Sequence, residues 1–366
     1  MSLLLSDVIN FVVAVLFAGL VAFLLTPPVR VLAYKLKAID IPRDERRMHK
    51  KITPRLGGLA IFLAFALSVL LFCEVDEKIL GLLLGAIVIV IVGVLDDIYR
   101  IPAILKLIGQ IVASVIPVLF GISINFINLF GHYVDLGIFS APVTVIWIVC
   151  VTNAINLVDG LDGLACGIST ISAVSIMVFA LLEVNLEIAL IVAILVGSCI
   201  GFMPYNRFPA SIFMGDTGAL FLGYTLSLIS ILGVFKLNAF VSFWTPFLIF
   251  ALPLADTFTS ALRRIIHGIS PFQADRGHFH HKLIDLGLNQ KQVVRVLYAL
   301  SAIFGISAIM FTEEKILSAI LIIVITFVIG FFNYRILASS QKIREQMGLH
   351  LKEIKPAEDT SKESEE

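Results

Sequence analysis

The chain is short of charge. Of its 366 residues only 15% are Asp, Glu, Lys or Arg, against about 25% in a typical soluble domain, too few to solvate a globule of this size. Its 27 basic and 27 acidic residues cancel. No net positive charge is left to offset a phosphate backbone, so nothing points to a nucleic-acid partner. Cysteine is scarce as well. Cys73, Cys150, Cys166 and Cys199 lie far apart, inside or beside apolar runs and without a CxxC pair. They therefore read as small hydrophobes, with neither a disulfide framework nor a zinc site. What is abundant is apolar surface: 59% of residues are hydrophobic and the mean hydropathy is +1.00. These values predict an all-α polytopic membrane protein.

A spanning helix needs roughly 17–25 mostly apolar residues. Eleven stretches qualify: 6–26, 56–73, 79–95, 101–120, 140–157, 164–183, 187–204, 217–235, 239–262, 293–311 and 316–334. The first lacks a basic n-region and a small-residue cleavage site, so it is expected to be a helix ended by Pro27-Pro28 and not a signal peptide. Residues 1–334 read as one transmembrane domain without internal repeats. The Lys-, Glu- and Ser-rich tail, 335–366, reads as a frayed helix that becomes disordered.

Counting basic residues across the loops sets the orientation. Lys78, Lys236 and Lys315 fall on one side and the other 24 on the opposite side. The rich side is expected to be cytoplasmic, with the N-terminus outside and the C-terminal tail inside. The longest outer loop, about 121–139, alternates loosely between apolar and polar residues and predicts a small external β-hairpin.

Acids inside or beside apolar helices are costly, so they tend to be functional or paired. Asp96 and Asp97 close the third span. Asp159 and Asp162 follow the fifth, in Asn153-Ala-Ile-Asn156-Leu-Val-Asp159-Gly160-Leu161-Asp162-Gly163. Asp216 opens the eighth, in Phe213-Met-Gly-Asp216-Thr-Gly, and Asp256 lies in the ninth beside Pro253, where a bend is expected. With the predicted topology all six converge on the cytoplasmic face. An Asp at a helix end commonly just caps it. The adjacent pair Asp96-Asp97 is different, because two like charges side by side favour a cation between them, and hard divalent ions prefer such oxygens.

Basic residues share that face. His49-Lys50-Lys51-Ile-Thr53-Pro54-Arg55-Leu-Gly57-Gly58 leads into the second span, Lys106 lies one turn into the fourth, and Arg276-Gly-His278-Phe-His280-His281 follows the ninth. The histidines lack a fourth ligand at zinc spacing and an HExxH pattern. A phosphate-contacting cluster and a solvated loop both remain open for them.

Read in order, Lys50–Gly58, Asp96-Asp97, Asn153–Gly163, Asn206–Gly218 and Pro271–His281 resemble the polyprenyl-phosphate N-acetylhexosamine-1-phosphate transferase family. Members move a sugar 1-phosphate from a UDP-sugar to a membrane polyprenyl phosphate, release UMP and require Mg²⁺, with Mn²⁺ able to replace it. Pro271-Phe272, Asp275-Arg276 and His278-Phe279-His280-His281 are similar to the branch that uses UDP-GlcNAc and undecaprenyl phosphate. That branch begins O-antigen, teichoic acid and related surface polymers. The competing branch uses UDP-MurNAc-pentapeptide and has Thr where this chain has Arg55.

The resemblance implies a homodimer in the bacterial inner membrane with a cytoplasmic active site. It places Asp96, Asp97 and Asp216 around the metal, Asp216 foremost, and stacks Phe213 on uracil. Lys50, Gly160, Leu161, Asp162 and Asn206 would line the nucleotide pocket with Asp159 near them. Lys106, Asn153 and Asn156 are further substrate-binding candidates. Arg276, His278, His280 and His281 would hold the phosphates, and Asp256 is a lesser candidate. Direct attack by the lipid phosphate, aided by Asp96 or Asp97, is expected over a route through a phospho-Asp. A secondary transporter, the reading from another class, would place its acids near the midplane between inverted repeats.

Overall fold

The computed structural model describes residues 2–41, 52–129, 132–233, 244–268, 277–312 and 315–328. Lys50, Arg276 and the tail 335–366 lie outside these residues.

The protein is an all-α polytopic membrane protein. Among the described residues seven helices are long and apolar enough to cross a membrane: α1 (Ser2–Lys35), α3 (Glu77–Tyr99), α5 (Ser140–Val158), α6 (Leu164–Leu182), α7 (Leu186–Asn206), α8 (Gly215–Gly233) and α12 (Gln290–Thr312). Three shorter apolar helices, α2 (Gly58–Phe72), α4 (Ala103–Leu119) and α13 (Ile316–Val328), match the remaining expected spans but one. Polar side chains start the helices where the apolar runs begin. Asp76 accepts from the Ile79 amide at 2.7 Å and Asn185 from the Ile188 amide at 3.2 Å, each satisfying a donor that the first helical turn leaves over.

The unmatched span, 239–262, is two helices, α9 (Trp244–Ile249) and α10 (Ala251–Ile266), parted at Phe250. Proline explains the position. Pro253 has no N–H for the carbonyl four residues back, and its ring crowds that carbonyl. The carbonyl belongs to Ile249, and it accepts from the Ser172 hydroxyl of α6 at 3.3 Å instead. The first span departs from expectation the other way, since α1 runs through Pro27-Pro28 to Lys35. A proline's φ already suits a helix, and Val29 and Ala33 beyond the pair are buried against neighbouring helices, so continuing is favoured over stopping. The predicted hairpin is present as β3 (Phe126–Leu129) and β4 (His132–Asp135), paired antiparallel from Phe126↔Asp135 to Leu129↔His132. A second pair, β1 (Ile39–Asp40) with β2 (Thr53–Pro54), closes the segment ahead of α2.

Helix α8 is the axis of the bundle. Nearly all of it is buried, and α2, α3, α5 and α6 all pack on it. Small residues make that approach possible. A Cβ on Gly58 would meet the Gly218 backbone, one on Gly93 the Thr217 backbone, and one on Gly223 the Thr152 backbone. Two serines on α8 are satisfied locally, Ser227 donating to the Tyr224 carbonyl and Ser230 to the Ser227 carbonyl, each at 2.7 Å. Trp147 of α5 donates to Ser230 at 3.1 Å. Because backbone cannot give way as a side-chain tip can, Gly223→Ala should cost about 1–3 kcal/mol through overpacking. Thermal unfolding in detergent checks this, and an unchanged midpoint would show that α5 and α8 are not held at this distance.

Candidate active site

Four helix ends meet at one end of the bundle. Asp96 and Asp97 come from the last turn of α3, Lys106 from the first turn of α4, Asn156 from the last turn of α5 and Asp216 from the first turn of α8. Lys106 Nζ is the hub. It lies 2.9 Å from Asp96 Oδ2, 3.2 Å from Asp216 Oδ2 and 3.1 Å from Asn156 Oδ1. Asn156 also donates its amide N–H to Asp216 Oδ1 at 2.5 Å. Asp96 and Asp216 thus meet at one ammonium, an approach that two ionised carboxylates sustain only with such a shared cation or a proton.

Asp97 serves otherwise. Its side chain is fully buried and its oxygens are spent on α8: Oδ1 accepts from the Asp216 amide at 3.0 Å, and Oδ2 from the Thr217 amide at 3.0 Å and hydroxyl at 2.7 Å. It therefore holds the start of α8 and aims Asp216. Gly215 makes room for this, since it adopts φ +71° and a Cβ there would strike the Asp97 carboxylate and the Arg55 carbonyl. Arg55 reaches in from the other side, with Nη2 at 3.4 Å from Asp97 Oδ1 and 3.8 Å from Asp216 Oδ2.

Among the described residues no three His, Cys, Asp or Glu groups form a ready metal-ligand set. The opposed Asp96 and Asp216 carboxylates are nevertheless a hard-oxygen pair at a partly open site. Such a pair suits a small divalent cation that keeps several waters and also binds phosphate oxygens.

The turn after α5 forms a second wall. Asp162 Oδ2 accepts from the Ala210 amide at 2.9 Å, tying this turn to the segment 207–213. Asn206 pins the other end of that segment by donating to the Ile212 carbonyl at 3.1 Å. Phe213 is partly buried and bridges to Arg55 in parallel. Asn153 pairs with Gln110 of α4 through both amide groups, a joint between helices that leaves it little for a substrate. Leu161 is buried. Asp159 makes no side-chain hydrogen bond among the described residues. Burial, reinforced by the nearby Asp216 charge, pushes its carboxyl up to about 7.

The histidines open a short helix, α11 (Phe279–Asp285), whose first turn packs on this wall. The His280 ring occupies the space that a Cβ on Gly160 would need, so Gly160 sets how closely the two segments meet. His278 and His280 stack nearly parallel with ring centroids 5.8 Å apart, and His280 and His281 lie 4.3 Å apart. Burial, and then the neighbouring His281, push the His280 imidazole down to about 4. It is therefore neutral near pH 7 and acts as a hydrogen-bonding group there.

Asp256, a lesser candidate from sequence, is the clamp of this helix. One oxygen takes the Nδ1 proton of His278 at 2.9 Å and the other the Phe279 amide at 2.8 Å. Arg263, one of the bases counted only for orientation, donates to the Gly277 carbonyl at 3.1 Å just before it. The structure thus brings Asp96, Asp97, Lys106, Asn156 and Asp216 into one cluster, with Asp159, Gly160, Asp162 and the three histidines along its flank. Arg55 and Asp256 are the residues whose importance sequence reading understated. The only signal for Asp256 was a buried acid beside Pro253, and for Arg55 its place among the motif glycines.

The model of glycosyl transferase family 4 matches residues 79–234, the stretch that holds every member of the acid cluster except Arg55. The probable undecaprenyl-phosphate N-acetylglucosaminyl 1-phosphate transferase of Bacillus subtilis is 38% identical over 320 residues, 87% of this chain and 89% of that protein. The decaprenyl-phosphate N-acetylglucosaminephosphotransferase of Mycobacterium leprae is 34% identical, covering 85% and 87%. The phospho-N-acetylmuramoyl-pentapeptide-transferase of Caldicellulosiruptor bescii is 28% identical, covering 84% and 99%.

The Asp256 clamp yields a prediction. A carboxylate only accepts, so it keeps the proton of His278 on Nδ1 and presents Nε2 to the site. In Asp256→Asn the amide N–H would face Nδ1 and favour the opposite tautomer. Turnover is expected to fall about 100-fold or more while the thermal midpoint stays near wild type. An equal loss of both would mean that Asp256 only holds the helix in place.

Proposed function

The chain belongs to glycosyl transferase family 4, and on that ground we propose that it transfers N-acetylglucosamine 1-phosphate from UDP-GlcNAc to undecaprenyl phosphate and releases UMP. The observation that carries this reading is the Lys106–Asp96–Asp216–Asn156 cluster at one end of a membrane bundle, with a histidine helix beside it. A lipid phosphate enters such a site sideways and a nucleotide-sugar from water.

The oxygen of the lipid phosphate attacks the sugar-linked phosphorus. A new P–O bond forms as the anhydride bond to UMP breaks. One phosphoanhydride replaces another, so the reaction is near balance and its difficulty is bringing one anion against another. Lys106, held by two carboxylates and an amide, supplies positive charge where the phosphates meet. Asp96, with its carboxyl at the cluster and not committed to backbone as Asp97 is, aligns the attacking phosphate. The Nε2 face of His278, oriented by Asp256, and the neutral His280 hold phosphate oxygens by hydrogen bonds. Asp96 and Asp216 would hold Mg²⁺, or Mn²⁺ in its place, which when bound would supply charge neutralisation for the diphosphate.

The 24-to-3 division of basic residues supports a cytoplasmic site in the bacterial inner membrane. The UDP-MurNAc-pentapeptide reading is the weaker one, because the muramoyl relatives are either less identical, 28% over 84% of this chain, or matched over less of it, 35% over 59%, than the two GlcNAc relatives.

Purified protein in nanodiscs should release UMP from UDP-GlcNAc when Mg²⁺ and a C55 polyprenyl phosphate are present. Silence with UDP-GlcNAc and activity with UDP-MurNAc-pentapeptide would overturn the donor assignment. UMP release should also depend on the lipid acceptor; a burst without it would replace direct attack by a phospho-enzyme route. Asp216→Asn should abolish turnover at normal extraction and thermal stability. Full recovery at saturating Mg²⁺ would reduce the role of Asp216 to metal affinity.

A further inference from the structure

Arg55 sits at the cluster with its backbone fixed and its side chain uncommitted. Its amide donates to the Ala38 carbonyl at 2.9 Å. On either side of it the Pro54 carbonyl accepts from the Phe213 amide at 2.8 Å, and the Gly57 amide donates to the Phe213 carbonyl at 3.0 Å. The strip 54–57 is thus zipped to the strip that delivers Asp216. The Arg55 side chain is three-quarters covered, being 24% exposed, and the two carboxylate contacts of its guanidinium are 3.4 and 3.8 Å. Charge-assisted hydrogen bonds run at about 2.7–2.9 Å, so Arg55 is attracted to Asp97 and Asp216 without being bonded closely to either. Asp97 does not need it, because three donors from Asp216 and Thr217 already fill its oxygens. Asp216 Oδ2 is shared between Arg55 and Lys106. A planar fork with five donors is therefore parked against two carboxylates at the open side of the site.

We propose that Arg55 contacts the diphosphate of the donor, and that before substrate arrives it is a stand-in cation at Asp216, handed from carboxylate to phosphate when metal and nucleotide-sugar bind. This role presupposes the diphosphate donor proposed above. Its logic is competitive. A divalent cation and Arg55 draw on the same Asp216 charge, whereas the diphosphate and Arg55 attract one another. Removing the guanidinium must then strengthen metal binding in the absence of substrate and weaken use of the nucleotide-sugar. A group that merely shapes the site would move both in the same direction.

The test uses the full chain in nanodiscs, with Mn²⁺ titrated by electron paramagnetic resonance without nucleotide, and with kcat/KM measured for UDP-GlcNAc. Arg55→Gln is expected to bind Mn²⁺ about threefold tighter or more and to lose about 100-fold in kcat/KM. Arg55→Lys keeps the charge, so its Mn²⁺ affinity should return to near wild type. A lysine cannot bridge two phosphate oxygens as the fork does, so kcat/KM should recover only in part. Mn²⁺ binding by Arg55→Gln that is unchanged or weaker overturns the handover, and kcat/KM within about twofold of wild type overturns the phosphate contact. Turnover of wild type runs alongside: its absence with UDP-GlcNAc overturns the donor itself, an outcome distinct from either failure of the variants.

Discussion

Everything at the working end of this protein depends on compensating acid charge in a place with little water. Asp96, Asp97 and Asp216 come from two helices that also meet along an apolar seam, and carboxylates that close drive helices apart unless something positive or polar intervenes. Lys106 intervenes between Asp96 and Asp216, and the exposed amides of the first turn of α8 intervene at Asp97. The ends of α3, α4, α5 and α8 are thereby tied at one point. The arrangement of charges is both what closes the bundle there and what an incoming diphosphate would rearrange.

The axial helix makes that arrangement repeatable. Glycines where α2, α3 and α5 cross α8 bring backbone against backbone, which fixes helix positions more sharply than flexible side chains could. The start of α8 is held by Asp97 and by the strip at Phe213. Asp97 is consequently the most firmly placed acid of the cluster, and through the amides of Asp216 and Thr217 it fixes where Asp216 stands.

The all-α membrane class and the approach of Asp96, Asp97 and Asp216 were legible in the sequence, because they follow from apolar run lengths and short connections. What separates Asp96 from Asp97 was not, since adjacent residues on a helix point about 100° apart and only packing decides which one meets α8. Asn153, Asn206 and Asp162 illustrate the same limit. A polar residue in a helix or a turn looks alike whether it awaits a ligand or, as here, is bonded to Gln110, the Ile212 carbonyl or the Ala210 amide. Asp256 was visible as a buried acid, but its partners lie 22 and 23 residues further on. Arg55 hid for another reason: its value lies in the reach of a long side chain across a two-strip bridge, which no spacing encodes. The prolines misled only at the first span, as α1 passes through two of them, whereas the bend expected beside Pro253 is present as the break at Phe250, where the freed carbonyl finds Ser172.

The interruption at Phe250 leaves α10 as a separate rod with two unlike faces. Asp256, Ser260 and Arg264 are buried, whereas Phe258, Leu262, Ile265 and Ile266 are exposed and apolar, as suits contact with acyl chains. The same short rod therefore touches the hydrocarbon on one side and grips His278 and Phe279 on the other. A shift of this rod against its neighbours would move, in one step, the outward apolar face and the acid that fixes the ring of His278.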